Sequence, residues 1–347
     1  MEVESTQRLI LALNCGSSSL KYGVYRATAN EPQFVFGDEA QEITDHRAAL
    51  AQALDRIDQQ GIKHFWKAGH RVVHGGPDVR EHQALTPEVF RKLQAAVPFA
   101  PLHLPASLAV MEAVRQKMPQ LPQVVCLDTA FHRTMPDVAR TFALPLEVRR
   151  QGVERYGFHG LSLESILPQL QAVPEKLVVA HLGNGSSITA IHNGQSIDTT
   201  MGLTPTGGVM MGTRSGELDP GVMVFLARHG FAAADQLEAL VNKKSGLLGV
   251  SGLSSDVRKL LEARTQAPLS DLALRMFCYQ VRKAIAAMAA ALGGLNLLVF
   301  TGGIGEHATE LRQEICAKFG WLESFEIRVL PAQEDLQIAR IALSCAT

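Results

Sequence analysis

The two halves of this chain echo each other, and that repetition limits the fold more than any other feature. Leu11-Ala12-Leu13-Asn14-Cys15-Gly16-Ser17-Ser18 is matched by Ala180-His181-Leu182-Gly183-Asn184-Gly185-Ser186-Ser187, at an offset of 169 within 347 residues. In each copy an apolar strand enters a turn of small residues, and a second apolar stretch leaves it (Tyr22–Tyr25 and Ile188–Ile191). Such a unit offers backbone N–H groups and hydroxyls to an anion. Gly-Ser-Ser is also ordinary turn chemistry, which two unrelated hairpins would share. The length exceeds that of one hydrophobic core, so two related domains are expected.

Apolar runs at Leu9–Leu13, His70–Val73, Val124–Leu127, Leu177–Leu182 and Leu297–Thr301 read as strands, with helical patterns between several of them. Thr86-Pro87 and Asp219-Pro220 each place an N-cap and a first-turn proline before an apolar helical pattern. Ser270 reads as the start of the strongest helix, running from Asp271 to about Leu292. The greasy stretch from Ala284 to Phe300 is split by Gly293-Gly294, which makes it a helix end, a stop and a strand rather than a membrane span. Strands alternating with helices give an α/β class.

A formal net charge of -1 offers no electrostatic case for nucleic acid or an anionic membrane surface. Positive charge for an anionic ligand must therefore be local. Five scattered cysteines without a CxxC pair suggest a reducing cytoplasm rather than a disulfide framework or a zinc site. The start of the chain is acidic and polar, unlike a secretory signal.

The familiar nucleotide motifs are missing. No Gly precedes a Lys, which excludes the GxxxxGK[ST] loop, and no GxGxxG occurs. Glycine turns remain at Asn14–Ser19, Gly183–Ser187, Gly212–Gly216 and Gly302-Gly303-Ile304-Gly305. The last follows a strand and reads as a turn leading to a helix with Leu311 and Ile315, which suits close approach of a nucleotide.

Asn14-x-Gly-Ser-Ser-Ser-x-Lys21, and Thr204-Pro205 running on to Met211-Gly212-Thr213-Arg214-Ser215-Gly216, resemble the two signature motifs of acetate kinases. The resemblance continues through Arg71–Gly76, Pro101–His103, Asp128–His132, Tyr156–Gly160, His181–Ser187, Lys243–Gly246, Thr301–Glu306 and Glu334, in family order. It implies two duplicated actin-like (ribonuclease H-like) domains with an interdomain active-site cleft. The division expected is residues 1–148 plus 331–347, closed by the C-terminal helix, and a nucleotide-binding domain at 149–330.

The implied activity is reversible Mg2+-dependent phosphoryl transfer from ATP to a short-chain carboxylate, acetate foremost, giving the acyl phosphate and ADP. That reaction joins two anions, so positioning and charge neutralisation dominate it, and arginine forks suit both tasks. By resemblance, Arg71 and Arg214 flank the carboxylate and the transferred group, and His159 donates to its equatorial oxygens. Asp128 organises the metal and its waters, while Asn14 and Glu334 stand on the metal side. Val73, Leu102, Phe158 and Pro205 would enclose the methyl group. Lys21, His181, Gly183, Asn184, Gly185 and Ser186 fall to the phosphates. Asp256, Arg258, Gly303, Ile304, Gly305 and His307 fall to the adenosine. His70 and His74, four apart in a strand, do not make a metal pair.

The family habit also implies a cytoplasmic homodimer, with no nucleic-acid or membrane partner. The chain is shorter than typical members between Asn14 and Arg71 and between Gly303 and Glu334. Thr206-Gly207, His307 and Gln333 replace the usual residues at three places. Competing readings are a propionate or butyrate kinase, an actin- or Hsp70-like ATPase switch, and a non-catalytic nucleotide-binding relative.

Overall fold

The computed structural model describes residues 8–322 and 324–346. They form two compact units. One holds the described residues up to Arg133, the segment Gly160–Ser165 and the chain from Gln333; the other holds Thr134–His159 and Ile166–Ala332.

In the first unit, strands β1 (Leu9–Cys15), β2 (Ser19–Arg26), β3 (Gln33–Gln41), β4 (Lys67–Val72), β5 (Gln83–Ala84) and β6 (Gln123–Leu127) form one sheet, ordered β3-β2-β1-β4-β6-β5. β1 shows why its apolar run is unbroken. Leu9, Leu11 and Leu13 pack on one face with Leu50, Ile57 and Val114, whereas Ile10 and Ala12 pack on the other with Ile338 and Ile341. Alternate side chains point to opposite faces, so a strand buried on both sides must be apolar throughout. Gly69 permits the close fit of the helix Glu334–Ser344, since a Cβ there would lie 2.6 Å from Ile338 Cγ2.

The second unit repeats the plan with β7 (Lys176–Leu182), β8 (Ser186–His192), β9 (Gln195–Thr199), β10 (Leu297–Thr301) and β11 (Glu326–Val329), ordered β11-β10-β7-β8-β9. Each sheet has an antiparallel β-meander joined through its first strand to parallel strands. These are the two related domains that the echoing halves suggest, on the duplicated plan that the family resemblance implies. The ladders refine the echo: four residues separate the paired Cys15 and Leu20, but three separate Leu182 and Ser186. The second turn is one residue tighter, so no single offset aligns both strands of the two hairpins.

Local chemistry accounts for the helices. Thr86 caps Pro87–Ala95 by accepting from the Val89 N–H, and Asp219 caps Pro220–Arg228 from Gly221. The long helix packs Leu274, Phe277, Val281, Ile285 and Met288 against Val178, Ala180 and Phe300. It begins at Pro268, two residues before Ser270: the proline leads the first turn, and Ser270 lies inside the helix with its hydroxyl buried. Gly293, with φ 65°, ends it as expected. β4 opens at Lys67, so Arg71 stands near its end rather than its beginning. Gly302–His307 is itself a helical turn, directly after β10. Among the described residues, no helix is long and apolar enough to cross a membrane.

His70 of β4 is 2% exposed, and burial pushes its imidazole down to about 4. The unfolded chain takes up a proton near pH 6.5 that the folded chain refuses, so stability falls as pH drops from about 6.5 towards 4. The loss should reach about 2 kcal/mol near pH 5, and His70→Leu should abolish it. Urea unfolding of both proteins at about pH 7 and pH 5 checks this; equal acid losses would refute it.

Candidate functional site

In the first unit the polar residues gather at the carboxyl ends of the parallel strands, where open α/β sheets bind ligands. Arg71, at the end of β4, donates from Nε (3.0 Å) and Nη2 (2.7 Å) to a single oxygen, Oδ2 of Asp128, which follows β6. Its Nη1 donates to Asn14 Oδ1 at 2.9 Å, near the end of β1. Asn14 Nδ2 in turn donates to Glu334 (3.3 Å) and Asp335 (3.0 Å), in the first turn of the helix Glu334–Ser344. Lys21 closes the group with an ion pair to Asp335 at 2.6 Å.

The Asp128 side chain is 1% exposed, and its second oxygen, Oδ1, is buried without a partner. Burial raises its carboxyl to about 6 against the opposing pull of Arg71, and Glu334 adds to the rise. Arg71 resists burial because Asp128 and Glu334 hold its guanidinium charged. Burial also works against the Lys21 ammonium, but Asp335 and Glu334 outweigh it and raise its pKa.

Three carboxylates against two cations leave this group with one surplus negative charge. Its donors are hard oxygens, and Asp128 presents an unused one, which fits Mg2+. Among the described residues, no three His, Cys, Asp or Glu side chains form a closed cage. Sequence reasoning misses Asp335. Its only signal is a second acid beside Glu334, and its partners lie more than 300 residues away.

The second unit assembles a different kind of site. The tight turn Gly183-Asn184-Gly185 joins β7 to β8, closed by the Gly183 N–H donating to Gly185 O at 2.9 Å. His159 adopts a left-handed backbone, φ 61°, and its Nδ1 lies 3.0 Å from Ser187 Oγ. Its ring stacks on that of His181, with centroids 4.1 Å apart. That leaves Nε2 against the turn: a Cβ at Gly185 would lie 3.0 Å from it and 3.2 Å from Arg214 Nη1. The same Nη1 donates to the Pro205 carbonyl at 3.0 Å. Gly246, at φ 65°, lets the Met211–Arg214 turn fold tightly, since a Cβ there would lie 2.2 Å from Met211 O.

Glycine is needed across the turn as well. A Cβ at Gly302 would lie 2.7 Å from Leu182 O and 3.2 Å from His181 Nε2, whereas one at Gly183 would meet nothing closer than Gly185 O at 3.4 Å. Asn184 reaches Gly212, where a Cβ would lie 2.8 Å from its Oδ1. Backbone N–H groups, two histidines and Arg214 thus surround a small-residue loop, which is suited to phosphate oxygens.

The structure brings together Arg71, Asp128, Asn14, Glu334 and Lys21 in one unit. In the other it gathers His159, His181, Gly183, Asn184, Gly185, Ser186, Pro205, Arg214 and Gly303. Asp256 and Arg258 instead form their own pair, 2.8 Å apart, with the Arg258 side chain 86% exposed. Ile304, Gly305 and His307 lie in the helical turn after β10. Val73 and Leu102 belong to the first unit, buried and half-buried, while Phe158 is fully buried in the second. Ser187, the partner of His159, reads in the sequence only as part of the phosphate turn.

Comparison with known proteins points in a single direction. The Acetokinase family profile matches residues 9–334. An acetate kinase of Rhodopseudomonas palustris is 43% identical, over 90% of this chain and 87% of its own length. The crystal structure of Porphyromonas gingivalis acetate kinase superposes with a TM-score of 0.87 at 33% identity, covering 97% of this chain and 99% of that one. A propionate kinase from Francisella tularensis superposes at 0.87 with 32% identity, covering 98% and 100%.

Proposed function

This chain belongs to the acetokinase family, and on that footing we propose that it transfers the γ-phosphoryl group of ATP to acetate, reversibly, with Mg2+. The observation that carries the reading is the Arg71 fork, pinned by Asp128 and Asn14 beside two further carboxylates. In the second unit it is complemented by Arg214 and His159 set against the Gly185 turn.

A carboxylate oxygen of acetate attacks the γ-phosphorus in line. The new P–O bond forms as the bond to the β–γ bridging oxygen breaks, and the electron pair leaves with ADP. Acetate is already ionised, so no general base is required, and none is assigned. Guanidinium groups at Arg71 and Arg214 offset the repulsion between the reactants, and His159 donates to the transferred group. Mg2+ held by Asp128, Glu334 and Asn14, largely through water, would neutralise phosphate charge.

Lys21, His181 and the Gly183–Ser186 turn serve the phosphates, while Asp256, Arg258 and the Gly303–His307 turn serve the nucleoside. Val73, Leu102, Phe158 and Pro205 shape the methyl pocket, and branched Val73 limits chain length. The protein works as a cytoplasmic homodimer, as the resemblance in its motifs implies.

The test is acyl phosphate formation from ATP, Mg2+ and acetate, propionate or butyrate, trapped with hydroxylamine. Acetate should show the highest kcat/KM, and Val73→Ala should shift the ratio toward propionate by about 10-fold, the worth of a methylene-sized space. Nucleotide binding without any trapped acyl phosphate would overturn the kinase reading. A wild-type preference for propionate would support the second reading, which the Francisella relative favours.

A further inference from the structure

Two side chains outside the proposed chemistry tie the metal-side residues of the first unit together. β5 pairs with β6 only through Gln83 and Ala84. The next N–H on that edge of β6, that of Leu127, donates instead to Nδ1 of His82 at 3.0 Å. His82 Nε2 lies 3.0 and 3.2 Å from the two carboxylate oxygens of Glu164. Since Nδ1 accepts and an ionised carboxylate cannot donate, the ring proton belongs on Nε2, and the imidazole is a neutral link.

Glu164 lies on the helix Gly160–Ile166 and also accepts from Gln337 Nε2 at 3.2 Å. The adjacent Ser165 hydroxyl accepts the Gln333 N–H at 3.0 Å. One short helix therefore grips the last residue of β6, just before Asp128. It also grips the first turn of the helix that carries Glu334 and Asp335. The pair is largely screened from solvent, with side chains 19% and 16% exposed.

We propose that His82 and Glu164 are positioning residues that set Asp128 against Glu334 and thereby tune the affinity of this unit for hydrated Mg2+. The inference rests on reading Asp128 and Glu334 as the metal-side carboxylates. Mg2+ demands near-ideal octahedral geometry, so affinity depends on where its few protein oxygens are held. Residues that orient metal ligands from behind are commonly worth 10- to 100-fold in affinity. Neither His82 nor Glu164 needs to touch a reacting atom.

The experiment compares the full-length protein with His82→Ala, His82→Asn and Glu164→Gln. Binding of Mn2+ in the presence of ADP is read by water-proton relaxation. The Mg2+ concentration for half-maximal acyl phosphate formation and the exchange of the Leu127 amide are read beside it. His82→Ala should weaken Mn2+ binding and raise the Mg2+ requirement by about 10-fold, with kcat at saturating metal changed less than about threefold. Leu127 exchange should quicken. His82→Asn, whose amide oxygen can accept the same N–H, should recover most of the affinity. Glu164→Gln keeps the packing but loses the ionised acceptor, and should weaken metal binding even if His82→Ala does not fold.

Metal affinity unchanged in the folded variants would overturn the proposal, as would a fall in kcat that Asn does not rescue. A wild-type protein that binds Mn2+ but makes no acyl phosphate would sink the kinase reading alone. A Mn2+ loss in His82→Ala would still support the positioning role in that case.

Discussion

Arg71→Ala should lower kcat by about 10²–10⁴ and destabilise the protein by about 3–5 kcal/mol. The two effects have separate causes. In the proposed reaction the fork offsets charge that builds up during transfer, a task that the Lys21 ammonium, ion-paired with Asp335, does not match. In the resting fold, the same fork is the hydrogen-bonding partner of a carboxylate that is 1% exposed, and both N–H groups reach a single oxygen. Removing the cation strands that charge in the interior, where an unpaired ion is far costlier than a pair.

A second substitution separates the causes. Arg71→Ala with Asp128→Asn should recover much of the stability, because no buried charge is left behind, yet recover none of the turnover. Urea unfolding and the hydroxylamine assay on both variants supply the answer. A single variant of wild-type stability, or one that turns over within about tenfold of wild type, would remove Arg71 from its proposed role.

Gly160→Ala should cost about 3 kcal/mol or more, a large effect for one methyl group. The Gly160 N–H donates to the Asp128 carbonyl at 2.8 Å, and a Cβ on Gly160 would lie 2.2 Å from that same oxygen. Backbone is on both sides of the clash, so no rotamer can relieve it. The main chain at Asp128 must retreat, losing the hydrogen bond and carrying the carboxylate with it. Gly320→Ala is the control: nothing lies within 4 Å of its Cβ position, and its cost should stay within about 0.5 kcal/mol. Equal thermal midpoints for the two variants would show that the Asp128 loop yields more easily than this geometry allows.

Arg71, Asp128, His159 and Arg214 are recognisable because their neighbours in the chain carry the family's motifs. Their working partners are not. Asp335 meets Asn14 and Lys21 across more than 300 residues, and Ser187 on β8 meets His159, which stands just before a helix. His82 and Glu164 lie in no motif at all; a strand edge and a short helix bring them together.

Some misreadings are local. Ser270 looks like a helix start because serine caps helices well, but Pro268 can fill only the first turn, and it prevails. The Gly302 turn looks like a loop, yet it coils into a helix immediately after β10.

Much of what depends on neighbours along the chain is legible in its letters. The doubly apolar strands, the proline-led helix starts, the glycine stop after Leu292 and the repetition of one strand–turn–strand unit all follow from short-range sterics and periodicity. Tertiary packing settles the rest: the one-residue difference between the two turns, the single-oxygen grip of Arg71 on Asp128, and the clamp on Asp128 and Glu334. Those depend on which distant side chains meet at a strand end, and such meetings are set by the packing of both sheet faces, which no local pattern encodes.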